Sequence, residues 1–258
     1  MTIHSYDILG NIALVRFPED FKQKDKKKFA DKILKEQKGI KTVLEKVGKI
    51  KGRLRKLSTK FVAGEDTKEV LYKENGCVFR FNIDKTYFSP RLSNERKEIA
   101  SMIRKDENVL VMFAGVAPFS IVIAKNSRAK KVYSNEINRE ANKYAELNIK
   151  LNKLKDKVEL VNGDIKLVAK KLKQKFDVIV MPRPQLKDSF LKEAFSLSKK
   201  GTRIYYYDFC KEDEIDSVVE LIKQEASKAK KKINISKVKR AGELSPSKIR
   251  LRVDFRVG

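Results

Sequence analysis

Residues 109–119 read Val-Leu-Val-Met-Phe-Ala-Gly-Val-Ala-Pro-Phe, and this stretch decides the fold of the chain. Its first four residues are apolar, which is typical of a buried strand. Gly115 then allows a tight turn, and Pro118 suits the first turn of a helix. A strand, a glycine turn and a helix bring backbone N–H groups and a helix N-terminus close to a ligand. The stretch therefore predicts a nucleotide-cofactor fold.

Three further strands are predicted after this turn, and polar residues follow each of them. The strand at 131–135 ends before Glu136, which lies 21 positions after Gly115. An acidic residue about 20 positions beyond the glycine turn commonly binds ribose hydroxyls. The strand at 158–161 precedes Asp164, and the strand at 176–181 precedes Arg183. Because helical patterns separate these strands, we expect a doubly wound parallel sheet with a ligand at its carboxyl edge.

The chain divides into three predicted regions. Residues 1–85 combine strands at 8–17, 51–61, 70–72 and 78–83 with one helix and an Asn75-Gly76 hairpin signal, which indicates a small α+β domain. With the charge described below, we expect this domain to bind RNA. Residues 86–107 are a linking segment with a helix over 93–105 and Ser93 as its N-cap. Residues 108–258 form a Rossmann-like α/β domain with a mixed sheet. In that domain apolar residues recur at helical spacing from Ile222 to Ile233, which predicts a helix. Apolar and polar residues alternate over 248–256, which predicts an antiparallel last strand.

The chain is strongly basic, with 60 Lys and Arg against 34 Asp and Glu and a formal net charge of +26. A polyanion is the natural partner, because each neutralised phosphate releases a condensed counterion. No run approaches the ~20 apolar residues of a membrane span, so we expect a cytoplasmic protein without membrane association. The only histidine is His4, and Cys77 and Cys210 lie far apart. We therefore expect no metal site and no histidine base, so that proton transfer falls to carboxylates or lysines.

Two motifs carry a family resemblance: Phe-Ser-Pro-Arg-Leu-Ser-Asn-Glu-Arg at 88–96 and Met-Phe-Ala-Gly-Val-Ala-Pro-Phe-Ser at 112–120. Together they resemble the archaeal and eukaryotic tRNA (guanine-37, N1)-methyltransferases, and the likeness extends over most of the chain. The related aminocarboxypropyl transferases of wybutosine synthesis tend to have glycine in place of Arg91 and Gly-His in place of Ala117-Pro118. The resemblance implies a class I methyltransferase domain that uses S-adenosyl-L-methionine, a tRNA anticodon stem-loop as substrate, and a monomer.

Methylation of guanine N1 requires removal of the N1 proton and neutralisation of the charge that develops on O6. The resemblance implies that Glu95 is the general base, although a glutamate that merely favours the helix dipole is the alternative interpretation. It also implies that Arg55 meets O6, with Arg53 as the next choice. Arg91 and Arg96 flank Glu95 and are expected to contact phosphate or base.

The resemblance further implies a cofactor site. Phe113, Ala114 and Gly115 would give backbone contacts, Glu136 would bind the ribose diol, and Asp164 would bind the adenine amino group. Read from the motif alone, Asp164 is equally well explained as a turn residue after Gly163.

Two positions depart from the family pattern. Val111 stands where an aspartate is usual, and Met181-Pro182-Arg183-Pro184 stands where Asn-Leu-Pro or Asn-Pro-Pro is usual. Arg183 or Gln185 could supply donors to the guanine edge instead. Three alternatives therefore stay open: an enzyme that also methylates the wyosine precursor, an aminocarboxypropyl transferase, and a non-catalytic RNA-binding protein.

Overall fold

The first part of the chain is a four-stranded sheet with one helix. The computed structural model describes residues 6–51, 56–183, 187–245 and 247–258. The first elements are β1 (Asp7–Leu9), β2 (Ile12–Val15), α1 (Gln23–Glu36), β3 (Thr42–Lys51) and β4 (Lys56–Gly64), in the sheet order β1-β2-β3-β4. Only the β2–β3 pair is parallel, because α1 provides the crossover between them.

This sheet corrects two of the strand predictions. The strand expected over 8–17 is two strands, because Gly10 (φ +58°) turns the chain between β1 and β2. An alanine at Gly10 would place its Cβ 2.0 Å from the carbonyl oxygen of Leu71, so this close approach of two backbone segments also requires glycine. Strand β3 was not predicted, and the strand predicted over 51–61 corresponds to β4, which begins at Lys56.

A hairpin of β5 (Glu69–Glu74) and β6 (Cys77–Asn82) follows, and it confirms the Asn75-Gly76 signal. Both turn residues have positive φ, +49° and +72°, as a type I′ turn requires. The hairpin docks on a later helix, α4 (Arg139–Leu151), whose Asn148 accepts a hydrogen bond from the Arg80 amide at 2.7 Å. The predicted first domain ends at residue 85, whereas this hairpin packs with the later part of the chain.

The linking segment contains a 3₁₀ turn, Pro90–Leu92, that leads directly into α2 (Ser93–Met102). Ser93 was predicted to be the N-cap, but it is already helical, and Leu92 occupies the capping position. The Ser93 hydroxyl instead accepts a hydrogen bond from the Asn75 side chain at 3.2 Å. The start of α2 is thereby tied to the tip of the hairpin.

The remaining elements form the predicted α/β domain. In chain order they are β7 (Asn108–Val111), α3 (Pro118–Asn126), β8 (Lys131–Glu136), α4, β9 (Val158–Asn162), α5 (Ile165–Lys171), β10 (Phe176–Met181), α6 (Leu191–Ser196), β11 (Ser198–Cys210), α7 (Ile215–Lys228), β12 (Ile233–Ser245) and β13 (Lys248–Val257). The sheet order is β12-β13-β11-β10-β7-β8-β9. The expected helical spacing stops at Lys228, because Ile233 begins β12.

The sheet is mixed, as predicted. Strands β7 to β11 are parallel to one another, whereas β13 is antiparallel to β11 and to β12. Separate apolar cores cover its two faces, one with α2, α3 and α4 and the other with α6 and α7. Among the described residues, no helix is both long and apolar enough to span a membrane.

Candidate active site

An open cleft lies at the carboxyl edge of the parallel strands, where the loops after β7, β8, β9 and β10 converge. Its walls include four of the predicted cofactor residues: Phe113, Gly115, Glu136 and Asp164. The fifth, Ala114, is buried, and its N–H donates to the carbonyl of Asn135 at 2.8 Å. The cleft therefore lies at the edge of the sheet where the sequence predicted a ligand.

The glycine turn is an unusually compact backbone arrangement. Phe113, Gly115 and Ala117 have φ of +58°, +57° and +66°, so every second residue is in the left-handed region. That region favours glycine, and non-glycine residues that adopt it cluster at ligand sites. A Cβ at Gly115 would lie 3.3 Å from the carbonyl oxygen of Tyr87, which adds a steric reason for glycine at this point.

Glu136 joins the first two loops of the cleft. Its Oε2 accepts from the Gly115 amide at 2.7 Å, and its Oε1 accepts from the Asn138 amide at 2.7 Å. The residue is 9% exposed. Hydrogen bonds from two backbone N–H groups fix the direction of the carboxylate. Glu136 therefore holds its carboxylate group in a fixed orientation beside the glycine turn.

Asp164 has a structural role and also faces the cleft. It is the N-cap of α5, and its Oδ1 accepts from the Lys166 amide at 3.0 Å. Asp164 nevertheless lines the cleft, beside Gly163 and Ile165. The two interpretations of Asp164 in the sequence are thus compatible, because one carboxylate oxygen caps the helix and the residue remains part of the wall.

The Glu95 carboxylate is buried and adjoins the cleft through Tyr207. Oε2 accepts from the Tyr207 hydroxyl at 2.9 Å and from Arg252 Nη1 at 2.7 Å. Oε1 accepts from Lys239 Nζ at 2.7 Å. Leu92 and Tyr207 line the cleft, and Glu95 is 5% exposed. Three strands from the end of the chain, β11, β12 and β13, therefore supply the donors that hold this carboxylate.

Glu95 belongs to a larger group of charges that we call the α2 ion cluster: Glu95, Glu98, Lys237, Lys239, Arg252 and Asp254. The cluster contains three carboxylates and three cations. Arg252 lies at its centre, and its side chain has no solvent exposure. Hydrogen bonds, first of all from Arg252, lower the pKa of Glu98 to about 2. Burial, followed by the charge of Glu95, raises the pKa of Tyr207 well above its ordinary value.

Arg96 does not line the cleft, where the sequence predicted a contact with the substrate. Its side chain is 1% exposed and is ion-paired with Glu74, which is also buried. Its guanidinium lies over the rings of Phe88 and Phe119, 5.2 and 5.7 Å from their centroids. Arg96 therefore fastens α2 to the hairpin. Arg91, by contrast, is exposed on the 3₁₀ turn next to Leu92.

Arg183 lines the cleft, but its guanidinium donates hydrogen bonds to residues outside the cleft wall. Nε donates to the Tyr206 hydroxyl at 3.1 Å, Nη1 to the carbonyl of Asp188 at 3.0 Å, and Nη2 to Asp208. The residue is 7% exposed. The remaining predicted substrate residues, Arg53, Arg55 and Gln185, lie outside the described residues.

Comparison with known proteins decides the family. The sequence profile of the TRM5/TYW2 methyltransferase domain matches residues 70–235, and the profile of the TYW2 N-terminal domain matches residues 2–67. The chain belongs to the TRM5/TYW2 methyltransferase family. The gap between the two matched ranges, residues 68–69, falls at the start of the β5–β6 hairpin, in agreement with the packing of that hairpin against α4.

Two relatives show the range within this family. The tRNA (guanine(37)-N(1))-methyltransferase Trm5b of Pyrococcus abyssi is 37% identical over 254 residues, which cover 98% of this chain and 74% of that relative. The tRNA (guanine(37)-N(1))/4-demethylwyosine(37)-methyltransferase Taw22 of Nanoarchaeum equitans is 35% identical over 301 residues, which cover 97% of this chain and 99% of that relative.

Solved structures of the TRM5/TYW2 family share this architecture. The crystal structure of Trm5b from Pyrococcus abyssi superposes with a TM-score of 0.86 at 36% identity and covers 99% of this chain and 76% of that chain. A complex of aTrm5 with tRNALeu gives 0.85 at 29% identity, with 99% and 72% covered. TYW2 of M. jannaschii with AdoMet gives 0.74 at 25% identity, with 98% and 100% covered.

Several residues of this TRM5/TYW2 site were not predicted from the sequence. Tyr207, Phe209 and Arg250 line the cleft from β11 and β13, and the Arg250 guanidinium lies 5.2 Å from the Phe209 ring centroid. The alternation at 248–256 placed Arg250, Arg252 and Asp254 on one face of the last strand. That signal did not reveal that α2 covers the face.

Proposed function

We propose that this protein transfers a methyl group from S-adenosyl-L-methionine to N1 of guanosine 37 in tRNA. The observation that carries the proposal is the position of a fixed, buried carboxylate, Glu95, next to the strand-end cleft of a TRM5/TYW2 methyltransferase domain. Two relatives whose names include tRNA (guanine(37)-N(1))-methyltransferase activity support it, as does the excess of positive charge.

The residues of the cleft suit the cofactor. Apolar and aromatic side chains, among them Phe113, Ile137 and Ile165, form walls against which an adenine ring can pack. Glu136 offers oriented carboxylate oxygens for ribose hydroxyls, and Asp164 offers an acceptor for an amino group. S-adenosyl-L-methionine, when bound, supplies a methyl group on a positively charged sulfur. Val111, at the position of the usual family aspartate, is fully buried and adds no polar contact.

Glu95 is the proposed general base. The neutral guanine ring holds a proton on N1, so nitrogen has no available lone pair until a base accepts that proton. Glu95 stands in the first turn of α2, and donors from three strands fix its orientation. A residue that merely favoured the helix dipole would not need such a set of partners. Arg91 is exposed beside Leu92, and it is the residue proposed to meet a phosphate of the incoming nucleotide.

The tRNA is proposed to bind through its backbone. Exposed lysines follow the outer side of α4 and the turn after it, namely Lys143, Lys150 and Lys153. Phosphate contacts of this kind give affinity that falls steeply with salt, without sequence preference. Guanosine specificity must then come from a base taken out of its stack and read in the cleft.

A second candidate is methylation of the 4-demethylwyosine precursor at the same nucleotide. The observation that favours it is Arg183, which lies in the segment where the family usually has an asparagine. Its guanidinium donates hydrogen bonds to Tyr206 and Asp208. An arginine held in this way leaves a differently shaped cleft wall from an asparagine. The Taw22 relative, which this chain spans almost completely, carries both activities in its name.

Nucleoside mass analysis tests these proposals. Unmodified tRNA and tRNA with the wyosine precursor are incubated with cofactor labelled either in the methyl group or in the carboxyl group. Methyl label on guanosine supports the main proposal, and methyl label on the precursor as well supports the second. Carboxyl label in the RNA would replace both with aminocarboxypropyl transfer. Binding of tRNA without any label transfer would indicate a non-catalytic RNA-binding protein.

A further inference from the structure

The two oxygens of the Glu95 carboxylate have different surroundings. Oε2 is held by Tyr207 and Arg252, which are both buried. Oε1 is held by Lys239, whose side chain is 31% exposed and extends from the edge strand β12. A lysine on a flexible stem at a sheet edge can move, whereas a buried arginine bonded to three carboxylates cannot move without breaking several interactions.

We infer that Glu95 Oε1 is the oxygen that accepts the guanine N1 proton, that Tyr207 and Arg252 are positioning residues that fix Oε2, and that Lys239 caps Oε1 until the substrate displaces it. The inference rests on the proposed function, because it assigns roles around the proposed base. In the step itself the N1–H bond breaks and an O–H bond forms on Oε1. The N1 electron pair then forms the N–CH₃ bond while the C–S bond breaks and its electrons return to sulfur.

Arg252 is suited to positioning because its bonds are distributed over the whole cluster. Nε donates to Asp254 at 2.8 Å, Nη1 to Glu95 at 2.7 Å, and Nη2 to Glu98 at 2.7 Å. The planar guanidinium therefore fixes one oxygen of Glu95 relative to two other carboxylates. Tyr207 adds a bond from the cleft side, since it lines the cleft and reaches Oε2 with its hydroxyl.

Lys239 contacts a second carboxylate, Glu98, in the structure without substrate. Besides Glu95 Oε1 it contacts Glu98, and Lys237 on the same strand contacts Glu98 Oε1 at 3.3 Å. When Lys239 leaves Glu95, Glu98 can retain it, or a phosphate of the RNA can receive it.

Tyr207→Phe tests the positioning role, because it removes one hydroxyl and keeps the ring. We expect cofactor and tRNA affinities within about 2-fold of the parent and a single-turnover methylation rate about 10-fold lower, since one hydrogen bond to a charged group is lost. The loss should disappear in a Glu95→Gln background. A purely structural tyrosine would instead lower cofactor affinity and thermal stability and leave the rate at saturation unchanged, which would overturn the inference.

Lys239→Met tests the cap, with Lys237→Met as a matched control on the same strand. Removing the cap should raise the single-turnover rate at saturating tRNA by about 2- to 5-fold. A rate change of this size corresponds to the free energy of one partly exposed ion pair. Lys237→Met, which loses the same charge, should not raise it. A fall in the Lys239→Met rate to that of Glu95→Gln would contradict the assignment of Oε1.

The outcomes separate this inference from the proposed function. If Glu95→Gln methylates at the parental rate, the base assignment itself fails. If Glu95→Gln is slow but Tyr207→Phe is normal, only the positioning role fails. A loss in Tyr207→Phe as large as that in Glu95→Gln would also overturn it, because the hydroxyl would then carry the proton itself.

Discussion

Arg252→Met is the substitution that most directly probes the α2 ion cluster. In the parent, three carboxylates face three cations, and Arg252 makes bonds to Glu95, Glu98 and Asp254. The variant leaves three carboxylates with two lysines in a largely buried setting. Removing one partner of a buried ion pair typically costs about 3–5 kcal/mol, which corresponds to a fall in Tm of roughly 6–20 °C for a chain of this size.

The acid dependence of stability should change as well. Glu98 has a folded pKa of about 2, below its ordinary 4.5, mainly because of Arg252. A lowered carboxylate pKa contributes stability above pH 4.5, and that contribution is lost as pH falls from about 4.5 to about 2. Burial raises the pKa of Asp254, which acts in the opposite direction. In Arg252→Met the Glu98 contribution should shrink, so the variant should lose less stability across this window.

Urea unfolding at neutral pH and at pH values within this window measures both effects. Arg256→Met is the matched control, because Arg256 lies on the same strand but is exposed and donates to the carbonyl of Gly201. We expect that control to unfold within about 0.5 kcal/mol of the parent. If Arg252→Met unfolds within about 1 kcal/mol of the parent at neutral pH, the reasoning from uncompensated buried charge is wrong.

Three further single substitutions and one triple variant test the cleft, the hairpin and the RNA surface. Glu136→Gln should lower the affinity for the cofactor at least 10-fold, about 1.4 kcal/mol of binding free energy, because an amide N–H₂ would face a backbone N–H. Calorimetry measures this change. Asp164→Asn, with the same charge change, should leave stability without cofactor nearly unchanged, because asparagine caps helices as well as aspartate; a marked loss would show that the charge itself is needed. Arg96→Met should destabilise the protein by about 3–5 kcal/mol and leave the salt dependence of tRNA binding as it is. Neutralising Lys143, Lys150 and Lys153 together should reduce that salt slope by about 0.7–0.9 per lost phosphate contact, and an unchanged slope would move the RNA elsewhere.

The position of the half of the site that is proposed to bind the cofactor could be predicted because its signals are local. Gly115, Glu136 and Asp164 each follow a strand of a parallel sheet, and the carboxyl ends of such strands meet at one edge. Strand order and spacing were therefore sufficient to place these residues at that edge, and their contacts with the cofactor stay predictions. The structure brings these three residues together in one cleft.

The other half could not be predicted because its partners are distant in sequence. Tyr207, Lys239 and Arg252 lie 112, 144 and 157 positions from Glu95. Periodicity groups residues on one face of a strand but does not identify what covers that face. Arg96 is next to Glu95 in sequence, yet adjacent residues on a helix point about 100° apart. It therefore meets Glu74 in the hairpin instead of the cluster.

The most direct test of the central claim is mapping of the methylated nucleotide. A tRNA transcript with guanosine at position 37, and its counterpart with adenosine there, are incubated with S-adenosyl-L-methionine and either the parent or Glu95→Gln. We predict the mass gain of one methyl group, recovered as 1-methylguanosine, only in the fragment that contains guanosine 37. We also predict that the single-turnover rate falls about 10²–10⁴-fold in Glu95→Gln. A methyl group at another nucleotide, or an undiminished rate in Glu95→Gln, would contradict the account.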